Sequence, residues 1–233
     1  MSEVEDIEPP QVWALVPVKA PLSAKTRLAE LLSESERAIL QRAMLCDVLD
    51  QLLASERLTG VAIVCPDEGL QTLARARGVG VIGDEPRGGG LNAALLHGTE
   101  VLRASGADLV AILPADVPMI DAGDVDRAVL CALEQDTTVV VPDRAREGTN
   151  ALVFRTDRAP RLRFGHDSCR LHSQDLSKGP VTLLPLKSIA RDIDRPDDLN
   201  VIWRDGQGIA PNTKSVLGEC AFLRVAPDVE SIE

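Results

Sequence analysis

The sequence predicts an α/β protein built on a doubly wound, mostly parallel sheet within a single domain. Two observations carry that prediction. Short aliphatic runs alternate with amphipathic segments from residue 12 onward, at the spacing of βαβ units. The core must also be aliphatic, because 45% of the 233 residues are apolar while there are only three Phe, two Trp and no Tyr. Val, Leu, Ile and Ala then have to fill it, which suits parallel strands buried beneath helices.

The elements follow in order. Residues 12–18 read as a buried first strand running into a loop that holds Pro17 and Lys19, and a polar loop continues to residue 32. Ser33 and Glu36 form a capping box, each side chain serving the other's backbone amide. Behind it Leu40, Met44, Val48 and Leu52 recur at helical spacing, so a helix runs through Ala54. Residues 61–64 make a second strand, with Cys65-Pro66-Asp67 at its carboxyl end. Residues 71–77 are helical and 79–82 form a third strand. Gly88-Gly89-Gly90 breaks the chain before a helix over 91–104. The run 109–113 is a strand that ends in Pro114-Ala115-Asp116. A helix over 122–134, strands over 138–141 and 150–154, a loop over 159–168, a short helix over 171–176 and a strand over 182–186 complete the regular part. Asp192-Ile193-Asp194 reads as a strand end turning into a helix, with Asp194 as cap and Pro196 in the first turn.

Residues 1–11 form an acidic leader, residues 12–205 the domain and residues 206–233 a tail. The apolar pieces of the tail, Ala221-Phe222-Leu223 and Val225, suit packing on the domain or on a second copy, which makes a homodimer an expectation. The formal net charge of −11 argues against a nucleic-acid partner, because such a surface repels a phosphate backbone. A basic cluster with a divalent cation can still reverse the field inside one cleft. No run of apolar residues is long enough for a membrane span, and the leader lacks the apolar segment of a signal peptide. The five cysteines are scattered, odd in number and without zinc-ligand spacing, so a reduced, cytoplasmic setting is expected.

Ligands of a doubly wound sheet sit at the carboxyl ends of its strands. Four polar features fall there. Lys19, Lys25 and Arg27 put three cations just after the first strand, where a loop can wrap a triphosphate. Asp116 ends an apolar strand and is placed to hold magnesium, which takes few carboxylates together with substrate phosphates. Strand alternation would put Asp192 and Asp194 on one face, and two carboxylates that close require a cation between them. Gly148-Thr149-Asn150 and Phe164-Gly165-His166-Asp167-Ser168 offer amides and hydroxyls for a phosphate or carboxylate. Each feature has a plainer counterpart: a solvated basic loop, a turn cap, a helix cap and ordinary turn formers. His97, His166 and His172 lack metal-ligand spacing, and His166 and His172 flank the small-residue loop, where they are expected to touch the substrate or the residues that hold it. No Ser/His/Asp or Cys/His arrangement is present.

The order of the motifs is recognisable. Pro17-Val18-Lys19 with Lys25-Thr26-Arg27-Leu28, Leu91-Asn92-Ala93-Ala94-Leu95, Leu113-Pro114-Ala115-Asp116-Val117-Pro118, Pro142-Asp143-Arg144 with Gly148-Thr149-Asn150-Ala151-Leu152, Phe164-Gly165 through Ser168 and His172, and Asp192-Ile193-Asp194-Arg195-Pro196-Asp197-Asp198-Leu199 keep family order over residues 12–200. In this order they resemble the CofC/FbiD family of guanylyltransferases, within the MobA-like nucleotidyltransferases. The resemblance implies that GTP is joined to a three-carbon phospho-acid in coenzyme F-420 biosynthesis. That acid is 2-phospho-L-lactate, phosphoenolpyruvate or 3-phospho-D-glycerate. By position it implies Thr149, Gly165 and Ser168 as acceptor contacts, Asp116 and Asp194 as magnesium carboxylates, and Lys19 and Lys25 in the phosphate loop.

Around that frame, Asn150 and His172 are expected beside the acceptor, and Arg27 beside the departing pyrophosphate. Val16, Pro17, Pro66, Asp67, Leu91 and Asn92 are expected around the nucleotide. Whether Asp192 joins the metal site is open. The acceptor loop departs from the family's usual Phe-Gly-Pro/Glu-Gly-Ser-Phe, with His166, Asp167 and Cys169 in the variable places. The rival readings are a molybdopterin guanylyl- or cytidylyltransferase and a non-catalytic nucleotide-binding protein. The Gly-Gly-rich first loop of the former is absent, and Asp116, Asp194 and Lys25 together favour catalysis over binding alone. The acceptor phosphate is already ionised at neutral pH, so no general base is expected.

Overall fold

A computed structural model describes residues 8–20, 25–83, 89–204 and 208–219. The order of elements begins β1 (Val12–Pro17), α1 (Glu34–Leu53), β2 (Gly60–Cys65), α2 (Glu68–Ala76) and β3 (Gly80–Gly83). It continues α3 (Gly90–Ala104), β4 (Leu109–Ile112), α4 (Ala122–Glu134), β5 (Thr138–Pro142) and β6 (Thr149–Arg155). It closes with α5 (Ser168–Ser173), β7 (Val181–Leu183), α6 (Pro196–Arg204) and α7 (Pro211–Glu219). The strands form one sheet in the order β3-β2-β1-β4-β6-β5-β7. All neighbours are parallel except β6, which runs against both β4 and β5. The predicted fold class is therefore the observed one.

The aliphatic strands are covered on both faces. Ala14 and Val16 of β1 point into a cluster with Leu45, Val48, Leu49 and Leu52 of α1 and with Val125 and Val129 of α4. Leu15 faces the other way, with Val110 and Ile112 of β4 and Leu95 and Leu102 of α3. Removing such a side chain from water contributes roughly 2 kcal/mol. Helix α3 lies close on β1 because residue 98 is glycine: a Cβ there would stand 2.9 Å from Leu15 Cδ2. A third cluster joins Leu28, Leu40, Met44, Ile193, Leu199, Ile202 and Leu217, and so ties the first loop, α1, α6 and α7 together.

Local chemistry sets the boundaries. The capping box of α1 is formed, with Ser33 Oγ accepting from Glu36 N and Glu36 Oε2 accepting from Ser33 N. Helix α2 starts before the predicted residue 71 because Asp67 Oδ1 accepts from Leu70 N at 2.8 Å. Helix α5 begins at Ser168 rather than 171. Gly165 (φ 126°) and Asp167 (φ 59°) turn the chain there with left-handed backbone, which glycine and aspartate tolerate. Strand β7 ends before Pro185, which has no amide to donate.

The segment 191–194 is not a strand, so alternation does not place Asp192 and Asp194 on one face. Its fixed point is Ile193 N, which donates to Asp116 O at 2.9 Å, while the Ile193 side chain is buried in the third cluster. Asp194 does not cap α6 either. Asp198 Oδ2 does, accepting from the amides of Asp194 (3.0 Å) and Arg195 (2.7 Å). Pro196 occupies the first helical position as expected.

The start of the predicted tail belongs to the packed structure. Helix α7 docks on α1, and the buried Asp47 carboxylate accepts from the amide (2.9 Å) and side chain (2.8 Å) of Asn212 and from the amide (2.8 Å) and hydroxyl (2.6 Å) of Thr213. Gly88, Cys220 and the apolar pieces at 221–225 lie outside the described residues. Cys46, Cys65, Cys131 and Cys169 form no disulfide. No helix of the described residues is long and apolar enough to cross a membrane.

Candidate active site

The chain runs β1-α1-β2-α2-β3 outward from the centre of the sheet, then returns through α3 to β4 on the other side of β1. Loops leaving β1 and β4 diverge at this switch point and open a crevice. Three segments meet there. The loop after β1 brings Lys25, whose backbone takes a left-handed turn (φ 55°) closed by Leu28 N donating to Lys25 O at 2.9 Å. The loop after β4 brings Asp116. The segment before α6 brings Asp192 and Asp194, tied to Asp116 by the bond from Ile193.

Asp116 and Asp194 converge on one cation. Lys25 Nζ lies 2.6 Å from Asp116 Oδ2 and 3.5 Å from Asp194 Oδ1, with its side chain only 6% exposed. Arg27 Nη1 lies 2.5 Å from Asp194 Oδ2. Two carboxylates this close repel unless a positive charge stands between them, and here the ammonium supplies it. Lys25 and Arg27 thus both meet the carboxylates rather than standing apart from them.

A cavity of about 640 Å³ opens at this cluster, lined by Pro17, Lys19, Lys25, Arg27, Pro66, Leu91, Asp116 and Asp194 among others. Gln41 of α1 also lines it and holds the first loop, its Nε2 donating to Lys19 O at 2.8 Å. A smaller cavity of about 240 Å³ shares Pro17, Leu91, Pro114 and Asp116 as walls. It continues inward to Asp143, Gly148, Thr149, Asn150, Gly165, Ser168 and Asp192. Sequence blocks from Pro17 to Asp194 are therefore assembled into one two-chambered cleft. A groove of about 740 Å³ lies elsewhere, between α3 and residues 159–163, and contains none of these acids.

Not every expected residue faces the cleft. The Val16 side chain is fully buried in the core. Asp67 is committed to capping α2. Asn92 pairs with the backbone of Phe164, accepting from its N at 2.8 Å and donating to its O at 3.0 Å, so its amide anchors the acceptor loop instead of facing a base. Asn150 does line the inner cavity, and its Nδ2 donates to Ile189 O at 2.9 Å and approaches Asp192 Oδ1 at 3.4 Å, holding the acidic segment. His166 is exposed, and Asp167 pairs with Arg170 at 2.5 Å.

The sequence reading missed Asp143 and Gln41 as parts of the site. Asp143 Oδ1 and Oδ2 accept from the amides of Glu147 and Gly148, shaping the β5–β6 turn. Gly148 is required there, since a Cβ would lie 2.7 Å from Asp143 Oδ2. An aspartate before a turn carries no sequence signal that separates this role from ordinary turn formation.

Burial, and then the charge of Asp116, raise the Asp192 carboxyl above its ordinary range. A hard divalent ion takes carboxylate oxygens, and Asp116 and Asp194, which already converge on one ammonium, fit it. Among the described residues no group of three or more His, Cys, Asp or Glu gathers for a metal, so the remaining ligands of such an ion would come from elsewhere.

His172 is buried beneath the inner cavity, its ring edge-on to Phe164 with centroids 5.0 Å apart. Burial holds it neutral and lowers its pKa to about 4. The folded value lies below the unfolded 6.5, so between those pH values the unfolded chain binds the extra proton. Its burial therefore costs nothing above pH 6.5 and destabilises progressively as pH falls toward 4. Chemical denaturation should show up to about 3 kcal/mol of stability lost over that window, and a His172→Phe variant should lose correspondingly less.

Comparison with known proteins agrees with this geometry. The family model described as "Guanylyl transferase CofC like" matches residues 12–223. A phosphoenolpyruvate guanylyltransferase of Conexibacter woesei is 33% identical over 92% of this chain and 98% of its own length. A 3-phospho-D-glycerate guanylyltransferase of Phenylobacterium zucineum is 39% identical over 79% of this chain and 86% of its own. In fold, the chain is similar to a crystal structure named as a nucleotide-diphospho-sugar transferase from Desulfovibrio desulfuricans G20, with a TM-score of 0.72, 22% identity and coverage of 90% and 95%. It is also similar to a cytidylyltransferase from Leptospira borgpetersenii, with a TM-score of 0.56, 14% identity and coverage of 90% and 94%. With its acids, lysine and small-residue loop gathered at the switch point of a nucleotidyltransferase-like sheet, the chain belongs to the CofC-like guanylyl transferase family.

Proposed function

We propose that this enzyme transfers the guanylyl group of GTP to the phosphate of a three-carbon phospho-acid and releases pyrophosphate. The observation that carries the reading is the two-chambered cleft. One chamber is edged by Lys19, Lys25 and Arg27, the other by Thr149, Gly165 and Ser168, and Asp116 stands in the wall between them. GTP fits the outer chamber and the acid the inner one. An acceptor phosphate oxygen then bonds to the α-phosphorus while the bond from that phosphorus to the pyrophosphate oxygen breaks. The nucleophile is already ionised, so positioning and charge stabilisation do the catalytic work, and the cleft needs no general base.

Lys19 and Arg27 would offset charge gathering on the leaving pyrophosphate. Asp116 and Asp194 would hold magnesium, which offsets the repulsion between the two anionic substrates. Lys25, now paired with both carboxylates, would then be free to meet the phosphates. The acceptor is phosphoenolpyruvate or 3-phospho-D-glycerate, as the relatives' names suggest, or 2-phospho-L-lactate. The product would enter coenzyme F-420 biosynthesis.

The deciding measurement is pyrophosphate release with GTP and magnesium against each of the three acids, with ATP and CTP as controls. Turnover with GTP and one acid is expected. Silence with all three from folded protein that binds GTP would overturn the reading, and turnover with CTP would move the enzyme to another branch of the fold.

A further inference from the structure

The inner cavity contains two buried hydroxyls with the same polarity. Ser168 Oγ accepts from Thr149 N at 2.9 Å, and Thr149 Oγ1 lies 2.9 Å from His172 Nδ1. Ser168 Oγ thus accepts, while the donor of the Thr149–His172 bond depends on the tautomer of the ring. The direction of the Thr149–His172 bond is decided at the far side of the ring. There Nε2 lies 2.9 Å from the backbone N of Arg163, which can only donate. Nε2 must therefore present its lone pair. A neutral ring then carries its one hydrogen on Nδ1 and donates it to Thr149 Oγ1.

The ring is locked in this state from several sides. Asn92 bonds both backbone groups of Phe164, fixing the segment whose Arg163 amide sets the tautomer. The Phe164 ring packs edge-on against the imidazole. With one lone pair engaged by His172, the Thr149 hydroxyl keeps its own hydrogen for the cavity it lines beside Ser168.

We propose that His172 is a positioning residue whose fixed Nδ1–H tautomer leaves the Thr149 hydroxyl its hydrogen to donate into the inner cavity, so that the cavity favours an acceptor presenting an ionised oxygen to Thr149. In this role His172 acts through Thr149 rather than by touching the acceptor, which is one of the two places expected for it from the sequence. Hydrogen bonds from a hydroxyl to an ionised oxygen are roughly twice as strong as neutral ones, which gives the selection its force. The inference rests on the acceptor occupying the inner chamber.

Two measurements test it. ¹⁵N NMR of the imidazole in substrate-free protein is expected to show the Nδ1–H tautomer. The Nε2–H form would overturn the proposal whether or not the enzyme turns over, which separates its failure from that of the proposed reaction. Steady-state kinetics then use three variants. His172→Phe keeps the ring but removes both nitrogens, and should raise the acceptor KM by about 10- to 100-fold with the KM for GTP unchanged. His172→Asn returns an N–H near the Nδ1 position and should recover most of that loss. His172→Gln reaches the Nε2 position instead and should not. In a Thr149→Val background His172→Phe should add less than about twofold. Equal losses for Asn and Gln, parallel rises in both KM values, or a full additional loss in the Thr149→Val background would each overturn the proposal.

Discussion

Asp116→Asn is expected to lower pyrophosphate release by about 10²- to 10³-fold while leaving the fold intact. The substitution keeps shape and hydrogen-bonding capacity but removes one of the two charges that converge on Lys25. Asp116 stands at the wall shared by both chambers, so its charge acts where the two substrates must approach each other. The loss should fall mainly on kcat, because charge stabilisation matters most as negative charge gathers on the leaving group. Asp194→Asn should act in the same direction, and the double variant should lose far less than the product of the singles, since both carboxylates serve one cation. Raising magnesium should partly restore rate in either single variant. A rate within threefold of the parent enzyme for Asp116→Asn would remove this carboxylate from the mechanism.

Asp47→Ala should destabilise the protein by about 3 kcal/mol, which for a chain of this size lowers Tm by on the order of 10 °C. The carboxylate is 2% exposed and accepts from four donors in the first turn of α7. Truncation leaves those donors facing a small hole, and a carboxylate at a helix N-terminus also meets the favourable end of the helix dipole. Hydrogen exchange should then lose its protection first in α7. Asp47→Asn should cost less, because one amide oxygen still accepts. Thermal unfolding of the two variants checks the ranking, and an unchanged Tm for the alanine variant would show that α7 is held by its apolar contacts alone.

The legible parts of this protein were those whose signal is local. Alternating aliphatic runs and helical periods placed the strands and helices, and the Ser33–Glu36 box could be read directly because both partners lie in one turn. Asp116 was identified as a site residue because it ends an apolar strand. Asp192 and Asp194 were expected on one face, but the structure puts Asp194 beside Lys25 in the outer chamber and Asp192 at the inner one. Strand alternation was assumed, whereas a single backbone bond from Ile193 to Asp116 sets them there. Asp67 and Asn92 show the same limit from the other side. Both are polar residues beside the cleft, and the sequence cannot tell whether an amide or carboxylate faces a ligand or a backbone group of its own chain. In the structure both face the chain.

Composition, periodicity and motif order therefore determined the fold class, the family and the sheet end at which the candidate site lies. Tertiary structure alone decided that Lys25 bridges Asp116 and Asp194, that Asp198 rather than Asp194 caps α6, that Asp47 docks α7, and that Arg163 sets the tautomer of His172. The physical reason is range. Propensity, capping and burial periodicity act within a few residues, so they are written in neighbouring letters. Hydrogen bonds and charge pairs across 91 residues, as between Lys25 and Asp116, or 166, as between Asp47 and Thr213, exist only once the sheet and its helices have brought their partners within 3 Å.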